Sequence, residues 1–113
     1  MEIKTDIQEN TKIIMISGSL DGKTAPEAQE KIIPLIEPDN ILVVDLSNCK
    51  YVSSAGLRLL LMIAKQVPSK NCKLFLTGLT EEVKDVMDMT GFSNFFKIYG
   101  TVKEACDMGA SCT

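Results

Sequence analysis

Two adjacent serines, Ser53 and Ser54, follow the apolar run ILVVDL (residues 41–46) and open the stretch AGLRLLLMIAKQ. Hydroxyls at the mouth of a helix can cap it, hold an anion, act as a nucleophile or mark a docking point. The chain contains no histidine. Neither a Ser-His-Asp nor a Cys-His arrangement can therefore be built within it, because both need an imidazole to take the nucleophile's proton. The nearest helical lysine, Lys65, lies about three turns beyond Ser54, too far to act as its base. SSAG also lacks the glycine spacing and the lysine of a Walker loop. Hydrolase or nucleotidase chemistry is therefore not expected.

Metal chemistry is equally poorly provided for. Cys49, Cys72, Cys106 and Cys112 are widely and irregularly spaced, with no Cys-x-x-Cys and no histidine to complete a zinc set. They are expected to be free thiols, with Cys72 packed as a small hydrophobe. No cofactor is implied.

At 100° per residue, Gly56, Leu60, Ile63 and Ala64 share one face of the serine-led helix, flanked by Leu57 and Leu59. This is the expected core face. The opposite stripe carries Ser54, Arg58, Leu61, Met62 and Lys65. Its two charges place it in water, so Leu61 and Met62 form either a docking surface or a patch covered by a neighbouring element. Either serine can serve as the cap. A phosphate on Ser54 would be tolerated by the helix N-terminus, with Arg58 one turn on to pair with it.

The elements that must position this helix follow from pattern and punctuation. EIKTDI (2–7) and KIIMIS (12–17) read as a hairpin across QENT. GSLDGKT then interrupts the pattern, and Thr24 with Glu27 makes a capping box. The helix that follows sets Ala28, Ile32, Leu35 and Ile36 on one face, and Pro34 either kinks it or ends it near Ile33. ILVVDL is a strand covered on both faces, with Val43 and Val44 buried on opposite sides. CKLFLT (72–77) is a second such strand, so the serine-led helix lies within a strand–helix–strand unit of right-handed crossover. Thr80 caps a helix with Val83, Val86 and Met87 inward, stopped by Gly91. A short strand at FKIY (96–99) follows, and Thr101 with Glu104 opens a last helix ending near Gly109. The fold class is α/β: a mixed β-sheet with an N-terminal hairpin, then alternating helices and strands, the helices packed against the sheet.

The chain's 113 residues suit one domain, residues 1–113, and its net charge of −3 argues against nucleic acid as a partner. No apolar run approaches the ~20 residues needed to cross a bilayer, and the N-terminus lacks a signal-peptide layout. A cytoplasmic protein with no direct membrane insertion is expected.

Taken together, GSLDGKTAPE, ILVVDLSNCKYVSSAGLRLLL, the TGF after the third helix and FKIYGTVKEA resemble the STAS domain family, and within it the stand-alone bacterial anti-sigma factor antagonists. Their order and spacing carry the resemblance over nearly the whole chain. It implies a STAS-type sheet and a signalling role without enzymatic activity. It also implies an anti-sigma factor that is a GHKL-type serine kinase as partner, bound when the antagonist is unphosphorylated, and a PP2C-like phosphatase that reverses the modification. Aligned on Gly56-Leu57, Ser54 falls at the family phosphosite, with Ser53 where the family often has Asp and Ala55 at its second serine. Asp21 and Asp45 are implied near the same end of the sheet, although each could equally be a turn or strand-end residue bonding local backbone. The expected partner surface is Asp21, Ser53, Ser54, Arg58, Leu61, Met62 and Lys65. The alternative implied by the family is an assembly subunit of an ABC-type transporter complex.

Overall fold

The computed structural model describes residues 2–8, 11–38, 40–66, 73–91 and 96–103. Five strands form one sheet in the order β1-β2-β3-β4-β5. β1 (Glu2–Gln8) and β2 (Thr11–Leu20) pair antiparallel, whereas β3 (Ile41–Val52), β4 (Lys73–Thr77) and β5 (Lys97–Tyr99) are added in parallel. Between them run α1 (Ala25–Ile32), α2 (Ser54–Gln66) and α3 (Glu81–Thr90). The mixed sheet and its hairpin are those expected from the pattern.

The central strands are covered on both faces, as continuous apolar runs require. On one face Ile14, Ile16, Leu42, Val44, Leu46 and Leu76 pack with residues of all three helices. On the other, Ile13, Ile41, Val43 and Phe75 form a second cluster with Met15, Tyr99 and Val102 against it. Phe75 meets Tyr99 edge to face, with ring centroids 5.5 Å apart. Val43 and Val44 are both fully buried and divide between the two clusters. Each such side chain contributes roughly 1.5–3 kcal/mol relative to exposure.

Three local expectations change. β2 does not stop before GSLDGKT but continues to Leu20, because β3 runs beside it well past ILVVDL, as far as Val52. The polar residues Ser47, Asn48 and Lys50 hide this extension from an apolar pattern. The register shifts between Met15 and Ser17 and again between Gly18 and Ser19, bulges that bend and twist the pair. The expected Thr24–Glu27 box is also absent: Thr24 is helical in φ/ψ and its side chain caps nothing. Its hydroxyl donates instead to the Ser19 carbonyl at 2.8 Å, while Glu27 pairs with Lys31.

At Pro34 the structure decides between kink and stop. The α-helix ends at Ile32 and tightens into a 3₁₀ turn, Ile33–Leu35, which contains the proline. Ile36 stays buried but Leu35 is only half-buried. Lys12 of β2, itself buried, donates to the Leu35 carbonyl at 3.2 Å and pairs with Glu37 at 2.9 Å. Nothing in the hairpin pattern marked Lys12 as buried. α3 begins and ends as expected: Thr80 Oγ1 accepts from the Val83 amide at 3.4 Å, and Gly91 closes the helix at φ +78°, where other residues are strained. Cys72, Cys106 and Cys112, the hairpin residues Glu9 and Asn10, and the last helix expected after Thr101, apart from its helical first residues Val102 and Lys103, lie outside the described residues.

Candidate functional site at the start of α2

The end of β3 delivers the chain directly into α2, and the two serines take different tasks there. The Ser53 amide donates to the Leu20 carbonyl at 2.9 Å, which ties the junction to the end of β2. Ser53 Oγ accepts from the Gly56 amide at 3.3 Å and its carbonyl accepts from the Leu57 amide at 2.9 Å. Ser53 is thus the cap. Ser54 is the first residue of the helix and is exposed. Its hydroxyl holds no hydrogen bond among the described residues.

Gly56 explains why the junction is so close. A Cβ at this position would lie 2.5 Å from the Leu20 carbonyl oxygen and 2.9 Å from Val52 Cγ1. Only a residue without a side chain lets the first turn of α2 rest on the ends of β2 and β3. The cap bond and the glycine together fix where Ser54 points its backbone.

Arg58 is exposed and folds back over this turn, its Nε donating to the Ser54 carbonyl at 3.4 Å. Lys65 is also exposed, near the far end of the helix. Leu61 and Met62 are not the protruding aliphatics that the helical stripe allowed: both are half-buried, and Met62 packs against the main core. Met62 instead lines a shallow groove of about 300 Å³ between α1 and α2, with Gly22, Ala25, Pro26, Gln29, Ala55, Arg58 and Leu59. A second depression continues along α1 over Pro26, Gln29, Glu30, Ile33 and Pro34.

Asp21 borders the same end of the molecule, in the turn between β2 and α1. Its Oδ1 accepts from the Lys23 amide at 2.9 Å and the Thr24 amide at 3.1 Å, which staples the turn leading into α1. These backbone donors hold its carboxyl below the usual carboxylate range. Asp45 is not its neighbour. It lies level with Thr77 on β4 and Met15 on β2, well short of the rung that joins Leu20 to Val52. There its carboxylate accepts from the Ser47 amide at 3.0 Å, the local strand-end use allowed for it.

The structure therefore brings Asp21, Ser53, Ser54 and Arg58 to one end, with Leu61, Met62 and Lys65 further along α2 and Met62 lining the groove. Two contributors were missed. The α1 wall of the groove is invisible in a single helical stripe, because it comes from a different helix. Tyr51, 53% exposed beside the serines, lies between ILVVDL and the serine-led helix, where the apolar pattern assigns no element. Its outward turn depends on the register: with Lys50 bulged, Cys49 and Val52 turn inward and Tyr51 outward, which no sequence pattern displays. Cys49 is buried, and burial pushes its thiol pKa up. Among the described residues no three His, Cys, Asp or Glu side chains gather as a metal would require. No described helix is long and apolar enough to cross a membrane.

Comparison with known proteins bears on this geometry. A family model described as the STAS domain matches residues 2–105. An anti-sigma-B factor antagonist of Bacillus subtilis is 31% identical over 100 residues, covering 87% of this chain and 92% of that protein. The crystal structure of an anti-sigma factor antagonist from Mycobacterium paratuberculosis superposes with a TM-score of 0.87 at 21% identity, covering 96% and 93% of the two chains. The anti-sigma factor antagonist SpoIIAA in its unphosphorylated form gives a TM-score of 0.81 at 17% identity, covering 97% of each chain.

Proposed function

Because the chain belongs to the STAS domain family, we propose that it is an anti-sigma factor antagonist whose partner surface is the start of α2 with the adjoining groove. The partner is an anti-sigma factor that is also a serine kinase of the GHKL type. It is bound while Ser54 carries a free hydroxyl and released once Ser54 is phosphorylated, and a PP2C-like phosphatase restores the binding form. The chain itself is a binding module and not an enzyme.

One observation supports this assignment above the others: Ser53 is consumed as the helix cap, whereas Ser54 is exposed and its hydroxyl is unbonded among the described residues. A phosphoryl group on Ser54 would add about −1.5 to −2 charges at neutral pH. The aligned amides of the first turn and Arg58 favour that charge, so the fold is kept. A partner docking over Ser54 would have to desolvate it, so binding is lost. The likeness to the anti-sigma-B factor antagonist of Bacillus subtilis favours this reading over the transporter-subunit alternative.

The test pairs each variant with the cognate anti-sigma kinase in a calorimetric titration and maps the phosphate after incubation with ATP. Ser54→Asp should fold normally and bind at least about a hundredfold more weakly, a loss of roughly 2.7 kcal/mol. Ser54→Ala should bind but resist regulation. Phosphate found only on Ser53, or wild-type binding by Ser54→Asp, overturns the assignment.

A further inference from the structure

β1 is an edge strand, with β2 on one side and no strand on the other among the described residues. An unpaired edge of this length is a template for another strand. Ile3, Thr5 and Ile7 lie on the helix-bearing face of the sheet, where Ile3 packs against the core and Ile7 is 59% exposed. Glu2, Lys4 and Asp6 alternate with them on the other face and are all exposed.

We propose that this edge pairs antiparallel with β1 of a second copy of the chain, across a two-fold axis at Thr5. Symmetry restricts the possible registers. Directly opposed residues in antiparallel strands share a face, so the two-fold must pass between one residue and its own copy. Centring on Thr5 uses the whole of Glu2–Gln8. It sets Lys4 opposite the partner's Asp6 twice, and Ile3 opposite the partner's Ile7 twice. Centring on Lys4 sets lysine against lysine, and centring on Asp6 sets aspartate against aspartate, with end residues left over in both cases. EIKTDIQ is thus complementary to itself about its midpoint, in charge on one face and in apolar contact on the other. The present ion pair of Lys4 with Glu2, at 3.5 Å, is open to water on both sides and opposes the exchange little. β1 pairs with β2 only from Thr11 to Ser17. The second copy therefore adds beyond β1, away from the Leu20 rung and Ser53, and Ser54 stays accessible.

Sedimentation equilibrium at low salt tests this, with circular dichroism to confirm that each variant is folded. Wild type should show a concentration-dependent monomer–dimer equilibrium. Lys4→Asp and Asp6→Lys each place like charges opposite one another twice per dimer, and each should weaken association about tenfold or more. The double variant K4D/D6K restores both pairs and should recover dimerisation. An equimolar mixture of the two single variants should pair with each other. A wild type that stays monomeric up to about 1 mM overturns the proposal. So does a dimer that survives both single reversals, or a double variant that fails to recover.

Discussion

The starts of α2 and α3 use the same device in different electrostatic settings. At α3, Thr80 caps the Val83 amide, and Glu81 and Glu82 place two carboxylates in the first turn. At α2, Ser53 caps the Gly56 amide in the same relation, yet the first turn holds no acid. α1 has Glu27 in its first turn, so among the described α-helices only α2 leaves the positive end of its dipole without negative charge. The third residue of each helix differs as well. α3 accepts a buried valine there, whereas α2 accepts only a hydrogen atom. One helix start packs a valine side chain into the core, with its cap hydroxyl donating to the Cys49 carbonyl of β3, and is electrostatically complete. The other is pressed onto the strand ends and left receptive to an anion.

The largest expected effect comes from the close approach. Gly56→Ala drives a Cβ into the Leu20 backbone oxygen and should cost about 2–3 kcal/mol, read from urea unfolding curves. A neutral result would mean that α2 can lift off the strands, which would remove the contrast with α3. The caps come next: Ser53→Ala and Thr80→Ala should each cost about 1 kcal/mol. If Ser53→Ala were silent while Ser54→Ala was costly, the roles given to the two serines would be exchanged.

Smaller effects separate the two dipoles by sign. Replacing Glu81 and Glu82 by glutamine should destabilise by about 0.5 kcal/mol at low salt, whereas Ser54→Asp should change stability by no more than about 1 kcal/mol, with stabilisation the expected direction. Both effects should shrink as salt is added. The last effect extends the comparison to α1 and is visible only in acid. Asp21 has a folded-state pKa below its unfolded value. Its contribution is therefore fully present above the unfolded pKa of about 3.9 and is lost as pH falls through the folded value. Asp21→Asn should flatten that part of the stability–pH curve below about pH 4 and leave the neutral region's slope unchanged.

What could be read from the sequence was what depends on local chemistry. Thr80 and Gly91 mark α3 because cap and stop are made by neighbours in the chain. Val43 and Val44 mark a two-sided strand because four consecutive apolar residues have no other economical place. The misses are contacts made across the chain. Thr24 looked like a cap, but the Ser19 carbonyl claims its hydroxyl. The apolar pattern stops at Leu46, but β3 continues through polar Ser47 to Lys50 because β2 runs beside them. Lys12 carries no signal of burial in its strand pattern, but the 3₁₀ turn at Pro34 closes over it. At the candidate site Ser54, Arg58 and Lys65 were placed correctly on one exposed stripe, whereas the groove needed α1, which no pattern within α2 can reveal.

Strand order in space follows strand order in sequence, and this bears on how the chain reaches its fold. The hairpin is the local pairing of the sheet, and each later strand lies at the edge left by the one before it. No strand has to be threaded between two that are already paired. The sheet can therefore assemble in the direction in which the ribosome delivers the chain, and the Ser53–Leu20 contact can close as soon as β3 has docked. Each parallel pairing still closes a helical crossover, as from Thr11 to Ile41 and from Ile41 to Lys73, so these steps are slower than closure of the hairpin.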